Sequence, residues 1–154
     1  MLRYVYDHDT TVAHWVAQMI PHVRERGFGK CKAIGVVKGG ELVAGLVYHN
    51  WGPEAGIIDL SCAAVPGSGW MTRETIRIMY EYPFNDCGVQ MVTHCVLASD
   101  ERVQRILAGL GCMLIRIPRL YGRERDGVVA LLTQEAWDAG RYSRKAVATR
   151  KEAA

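Results

Sequence analysis

Two adjacent glycines, Gly39 and Gly40, separate two apolar runs and constrain the fold more than any other feature of the sequence. The runs cover residues 33–38 and 41–48. Glycine adopts left-handed backbone angles without steric cost, so a Gly-Gly pair between two apolar segments predicts a tight β-hairpin. This part of the chain therefore cannot belong to an all-helical fold.

A further strand is predicted at residues 56–65, because polar and apolar residues alternate there with the period of a strand. Asp59 and Ser61 point to one side, and the apolar side consists of Ile58, Leu60, Cys62 and Ala64. Pro66 and the glycines after it end the strand, and a helix with an apolar stripe is predicted from about Thr72; the stripe is Ile76, Met79, Tyr80 and Phe84.

The rest of the chain continues as alternating strands and helices. A helix is predicted at residues 10–26, capped by Thr10 or Thr11 and kinked or shortened by Pro21. The first seven residues and residues 89–97, 113–117 and 128–132 are expected to be strands, and residues 100–110 a helix. The expected fold is α/β (α+β), with a mixed, mostly antiparallel sheet of about seven strands and helices on both faces. Residues 1–134 are expected to form one domain and residues 135–154 a C-terminal helix or basic tail.

Composition favours a protein of the cytoplasm. Hydrophobic residues make up 49% and charged residues 23%, and no apolar run approaches the ~20 residues that span a bilayer. The five cysteines lie singly without a C-x-x-C pair, so we expect buried free thiols and neither a disulfide framework nor a metal site. No membrane association is expected.

The formal net charge of +3 is unevenly distributed. One basic stretch contains Arg116, Arg119, Arg123 and Arg125, and the basic tail contains Arg141, Arg144, Lys145, Arg150 and Lys151. Such patches attract nucleic acid, but most basic runs are solvated surface, and the sequence leaves both interpretations open.

The order of elements resembles the GNAT acyltransferase superfamily over residues 4–133. The run Leu42-Val43-Ala44-Gly45 is similar to the third strand of that family, and the strand–turn–helix after residue 58 is similar to its coenzyme-binding motif. The segment from Asp100 to Gly111 is similar to its late helix. Tyr48-His49-Asn50-Trp51 and Tyr82-Pro83-Phe84 resemble short members encoded by phages and prophages, which would place the protein in the host cytoplasm.

The resemblance implies an N-acyltransferase that uses acetyl-coenzyme A and transfers the acyl group directly to an amine. The carrier arm would pair with the backbone of Cys62, Ala63 and Ala64, and the diphosphate would bind the turn and helix start, which are Gly67, Ser68, Gly69, Trp70, Met71, Thr72 and Arg73. Free amides at a helix start suit a phosphate. An ordinary tight turn, and small residues that pack under a helix, are the alternative interpretations.

Four side chains are candidates for proton transfer. Asp59 and His49 are candidate bases, and Asp59 is also consistent with a structural carboxylate and His49 with a surface histidine. The late helix has Leu107 where the family often has an acidic tyrosine, so Tyr121 or Ser99 is the expected proton donor.

Other residues and functions stay open. Trp51, beside Glu54 in the same predicted loop, is expected either to line the acceptor pocket or to lie in the core, and His94 is expected to be a core histidine. A degenerate binding or regulatory domain is one alternative function, and a modifier of a DNA base or aminoacyl-tRNA is the other. A homodimer is left open.

Overall fold

The computed structural model describes residues 1–144 and residue 152. In this part of the chain the strands are β1 Leu2–Val5, β2 Cys31–Lys38, β3 Glu41–Gly52, β4 Ile57–Ala64, β5 Met91–Leu97, β6 Met113–Ile117 and β7 Gly127–Thr133. The α-helices are α1 Asp9–Met19, α2 Arg73–Glu81, α3 Glu101–Gly109 and α4 Gln134–Ala139, and a π-helical turn covers Tyr82–Asp86.

The strands form a mixed seven-stranded sheet in the order β1-β2-β3-β4-β5-β7-β6, which confirms the predicted fold class. The β1–β2, β2–β3, β5–β7 and β6–β7 pairs are antiparallel. The chain divides into two compact units, each described below by itself. Unit 1 is Met1–Trp51 with Asp59–Thr72, and unit 2 is Gly52–Ile58 with Arg73–Ala154.

Unit 1 contains the predicted hairpin. Lys38 pairs with Glu41 across Gly39 and Gly40, whose φ angles of 60° and 83° are those of a two-residue hairpin turn with left-handed geometry. Further along the hairpin Gly35 pairs with Gly45, and the buried side chains of Val12 and Val16 on α1 lie against this pair. Two facing glycines therefore let α1 approach the sheet closely.

Helix α1 is shorter than the predicted span of residues 10–26. It ends at Met19, and Ile20 has extended backbone angles because the ring of Pro21 disfavours a helical residue before it. The predicted cap at Thr10 or Thr11 is wrong: His8 occupies the N-cap without a side-chain hydrogen bond. The neighbouring Asp9 carboxylate accepts a hydrogen bond from the Ala33 amide at 2.8 Å and so ties the helix start to β2.

In unit 2 the predicted apolar stripe of α2 is confirmed, because Ile76, Met79 and Tyr80 are buried, as is Phe84 in the π-helical turn. Helix α3 begins after Asp100, whose carboxylate accepts a hydrogen bond from the Val103 amide. Strand β6 ends the sheet order and exposes three apolar side chains, Met113, Leu114 and Ile115.

The residues after β7 form α4, which Thr133 caps by accepting a hydrogen bond from the Ala136 amide at 3.1 Å. Beyond it, Arg144 forms an ion pair with Glu81 of α2 at 2.9 Å. The predicted basic tail residues Lys145, Arg150 and Lys151 lie outside the described residues.

The cysteines are free thiols, as expected, and the prediction that they are buried is wrong for Cys95. Cys95 is exposed because it faces out of β5 beside the buried His94, and the other four are half-buried. Burial raises the pKa of the Cys62 and Cys112 thiols to about 12.

Candidate functional site

The alternation predicted for β4 places two polar side chains on one side of the strand. Ile58 and Leu60 are buried, whereas Asp59 and Ser61 are half-buried and bind polar partners on β3. The next residue on the polar side, Ala63, packs against the core cluster beneath α1. The small residues at the end of β4 therefore pack in part under a helix, as the alternative interpretation proposed.

The turn after β4 folds back on unit 1. The Val65 amide donates to the Val43 carbonyl at 2.8 Å, and the Ser68 amide donates to the Val65 carbonyl at 3.3 Å. Gly67 and Gly69 have φ angles of 74° and 67°, a conformation that other residues adopt only with strain. The two glycines are thus required by the backbone path of this turn.

Several polar groups of the turn have no protein partner. Within residues 1–144, the amides of Gly67, Gly69 and Met71 donate to no protein acceptor, and the Ser68 hydroxyl is buried without a hydrogen bond. The Lys38 ammonium donates to the Ser68 carbonyl at 2.9 Å and places a positive charge beside the turn. Unpaired donors next to a cation fit the diphosphate of a nucleotide-containing coenzyme.

The helix that follows the turn begins at Arg73, the first residue of unit 2 after the boundary at Thr72. The Thr72 amide donates to the Trp70 carbonyl at 3.0 Å, so this amide of the predicted loop, like that of Ser68, is used by the protein itself. The predicted coenzyme residues 62–72 therefore belong to unit 1, and Arg73 belongs to unit 2.

A polar cluster joins the last residues of β3 to β4 in unit 1. The Nε2 atom of His49 lies 2.9 Å from the Ser61 hydroxyl, and the Asn50 side-chain amide donates to the Asp59 carboxylate at 2.8 Å. The Phe28 ring contacts the other side of the cluster, with its centroid 4.9 Å from that of His49. The two predicted bases, His49 and Asp59, are therefore brought into one cluster.

The pKa of His49 is below the ordinary histidine value. Burial is the main cause, and the positive charge of Arg26 acts in the same direction, whereas the negative charge of Asp59 opposes both. His49 is consequently neutral at neutral pH and has a ring nitrogen lone pair available for a proton.

The two predicted proton donors lie in unit 2. Tyr121 is half-buried in the loop between β6 and β7, where its amide donates to the Arg125 carbonyl at 3.0 Å. Ser99 is exposed between β5 and the capping residue Asp100. Leu107 of α3 is buried.

Unit 1 also contains a cavity of about 570 Å³ that the sequence did not reveal. It lies between α1 and the segment after it, and its lining is Asp9, Thr10, Ala13, His14, Ala17, Gln18, Arg24, Glu25, Arg26, Gly27, Phe28, Gly29, Lys30 and Cys31. The prediction carried α1 through Arg26 and so left no room for this cavity. The sequence feature that could have pointed to the cavity is Pro21, because it ends the helix early enough for residues 24–31 to form a separate wall.

Three other predictions concern single side chains. His94 is a core histidine as expected, buried with its Nε2 atom 2.9 Å from the Tyr80 hydroxyl. The interpretation of Trp51 as a core residue is wrong, because 57% of it is exposed at the end of β3. Glu54 is exposed in the β3–β4 connection.

The basic stretch between β6 and β7 is in part held by the protein. Arg116 donates twice to Asp126 Oδ2, at 3.1 and 2.9 Å, and the Arg119 amide donates to Oδ1 at 2.9 Å. These hydrogen bonds lower the pKa of Asp126. Arg116 therefore stabilises this loop by binding Asp126, and this structural role comes before any role in binding phosphate.

Two kinds of feature are absent from the described part of the chain. It contains no helix long and apolar enough to cross a membrane. Among the same residues, no three His, Cys, Asp or Glu side chains are grouped so that they could bind a metal ion.

Comparisons with solved structures identify the fold. A variant of spermidine N-acetyltransferase SpeG from Vibrio cholerae matches with a TM-score of 0.70 and 10% identity, covering 88% of this chain and 95% of that one. Mutant forms of spermidine/spermine N-acetyltransferase SpeG from the same organism match with a TM-score of 0.69 and 13% identity, covering 89% and 96%. No protein-family model and no curated protein sequence matches the chain. The chain therefore has the fold of the GNAT acetyltransferases.

Proposed function

We propose that this protein is an acyl-coenzyme A-dependent N-acyltransferase, with acetyl-coenzyme A as the donor and an amine as the acceptor, and that the acyl group moves directly in a ternary complex. The observation that carries the proposal is the turn after β4. Its amides at Gly67, Gly69 and Met71 and its buried Ser68 hydroxyl lack protein partners in the described residues. The fold of the solved acetyltransferases supports the same activity.

In this proposal unit 1 binds the coenzyme through its backbone. The free amides of the turn and the Lys38 charge hold the diphosphate, and the backbone of Cys62, Ala63 and Ala64 pairs with the carrier arm. The Cys62 thiol does not react, because burial raises its pKa to about 12 and keeps it protonated.

His49 accepts the proton of the attacking amine in this proposal. The amine nitrogen forms a bond to the thioester carbonyl carbon, the carbon–sulfur bond breaks, and the sulfur leaves with the electron pair. The half-buried ring of His49 is neutral and able to take the proton directly or through one water. The negative charge of Asp59 stabilises the imidazolium that forms, and Ser61 fixes the ring through Nε2. Tyr121 and Ser99 stay predictions as donors to the sulfur.

The test is calorimetry with acetyl-coenzyme A on the wild type and on Gly69→Ala. The matched control is Gly88→Ala, because Gly88 has nearly the same φ, 68° against 67°, and equally open surroundings. Both variants should lose similar stability, about 1–2 kcal/mol for a left-handed alanine. Only Gly69→Ala should weaken coenzyme binding.

The activity itself is tested by release of free thiol when amines are added. Turnover that depends on His49 supports the proposal, and coenzyme binding without turnover of any amine would favour the degenerate binding domain instead. Absence of coenzyme binding at millimolar concentration would overturn the proposal. Acceptors are best sought first among small amines, since the solved neighbours are named for spermidine.

A further inference from the structure

The cavity beside α1, which we call the α1 cavity, has the size and lining of a small-molecule site. Its volume of about 570 Å³ falls within the roughly 300–1,000 Å³ of ligand pockets. Ala13, Ala17 and Phe28 supply apolar surface, and most of the other lining residues are polar or charged. A bound molecule would therefore meet both apolar and charged surface.

The unpaired charge of the α1 cavity is mainly positive. Asp9 is already neutralised, because its carboxylate accepts from the Ala33 amide and lies 3.4 Å from the Lys32 ammonium. The lining segment adds three cations, Arg24, Arg26 and Lys30, and one carboxylate, Glu25. None of these four has a charged partner within residues 1–144, so cations outnumber carboxylates three to one.

The α1 cavity lies beside His49, the predicted base. Cys31 lines the cavity and pairs directly with His49 across β2 and β3, so the two side chains share one face of the sheet. Phe28 lines the cavity as well and contacts the His49 ring. On the far side of His49 lies Ser61 of β4. Within unit 1 the α1 cavity therefore lies next to His49, and His49 lies next to β4, the strand proposed to hold the thioester.

We propose that the α1 cavity binds the anionic group of the acceptor, so that the acceptor is an amine that also carries a carboxylate or a phosphate. Arg26 binds the anion, and the amine points past Phe28 toward His49. This inference rests on the proposed acyltransfer for the role of the ligand, whereas the charge preference of the cavity stands on its geometry alone. A polyamine such as spermidine, which carries only positive charges, fits this cavity poorly.

Position and charge together single out Arg26. Its charge reaches His49, since it contributes to the lowered pKa of that ring. A planar guanidinium also binds carboxylate and phosphate groups through two parallel hydrogen bonds, which a lysine does not provide. Arg24 is less free to do so, because its Nε atom donates to the Gln18 carbonyl at 3.1 Å.

The experiment measures binding by NMR titration of the full chain without coenzyme. The probes are α-amino acids, each paired with its amide, then phosphoethanolamine paired with ethanolamine, and spermidine. The wild type should bind at least one probe that carries a carboxylate or phosphate about tenfold or more tightly than the matched amine without that group, as expected for a hydrogen bond between charged groups. Arg26→Gln should reduce that ratio of affinities. Arg26→Glu should make the protein bind spermidine more tightly than the probes with a carboxylate or phosphate.

Arg3→Gln is the matched control, because it removes an exposed cation of β1 outside the cavity and should leave the ratio unchanged. Lys30→Glu provides a second charge reversal in the cavity. The inference is overturned if no probe with a carboxylate or phosphate binds, if wild-type protein prefers spermidine, or if both reversals leave the preference unaltered. Because coenzyme is absent, failure here is separate from failure of coenzyme binding, which would defeat the proposed function and the role of the ligand as acceptor but not the charge preference of the cavity.

Discussion

Replacing Gly45 by alanine should destabilise the protein, although alanine is the smallest possible addition. A Cβ atom at this position would lie 2.4 Å from Cγ2 of Val16 and 3.0 Å from Cγ1 of Val12, whereas carbon atoms pack at about 3.5–4.0 Å. Valine side chains on a helix have one strongly preferred rotamer and cannot turn away. Helix α1 must therefore move outward, and overpacking of this kind costs about 1–3 kcal/mol.

Urea unfolding followed by circular dichroism measures the effect. For a chain of this length the loss corresponds to a fall in Tm of about 2–12 °C. Gly109→Ala is the matched control, because Gly109 lies in α3 with nothing within 4 Å of an added Cβ. The same substitution there should stabilise by up to about 1 kcal/mol, since alanine favours helix over glycine.

A second glycine makes the test sharper. A Cβ at Gly35 would lie 2.7 Å from Val5, 2.9 Å from Leu42 and 3.2 Å from Val12, so part of this clash is also with α1. Once α1 has shifted for one alanine, the second costs less, and the double variant should lose less stability than the sum of the single variants. If the Gly45→Ala variant is as stable as the wild type or more stable, then α1 does not approach the glycine pair as closely as described.

Three further outcomes are expected. Ser68→Ala should leave the free energy of unfolding nearly unchanged, since the buried hydroxyl has no protein hydrogen bond to lose, yet weaken coenzyme binding about three- to tenfold by calorimetry. The acid limb of the pH–rate profile should have its midpoint below about 6.5, because burial lowers the pKa of His49, and Asp59→Asn should move it lower still by removing the charge that raises that pKa; a midpoint that moves up would contradict the role given to Asp59. Iodoacetamide at pH 8 should modify exposed Cys95 well before Cys62, whose pKa is about 12, and mass spectrometry of the peptides reports the order.

The sequence was most informative where a local pattern has one structural solution. Gly39-Gly40 predicted the hairpin, and the alternation of β4 predicted which side Asp59 and Ser61 occupy. It was least informative where a contact with a residue distant in the sequence determines the local structure. The predicted cap at Thr10 or Thr11 is wrong because neither the N-cap at His8 nor the hydrogen bond that Asp9 accepts from the Ala33 amide, 24 residues away, has a local signature. The same holds for the site: His49 and Asp59 were candidates individually, but their common cluster depends on Phe28, Asn50 and Ser61.

Strand β6 affects how the protein behaves in concentrated solution. No strand of the described residues pairs with its outer edge, and Met113 and Ile115 are 64% and 43% exposed. Backbone donors flanked by apolar side chains serve as a template for another strand, a hazard that many proteins suppress with a charged residue. Turbidity should therefore rise with protein concentration, and a lysine in place of Met113 should suppress it without touching the proposed coenzyme turn.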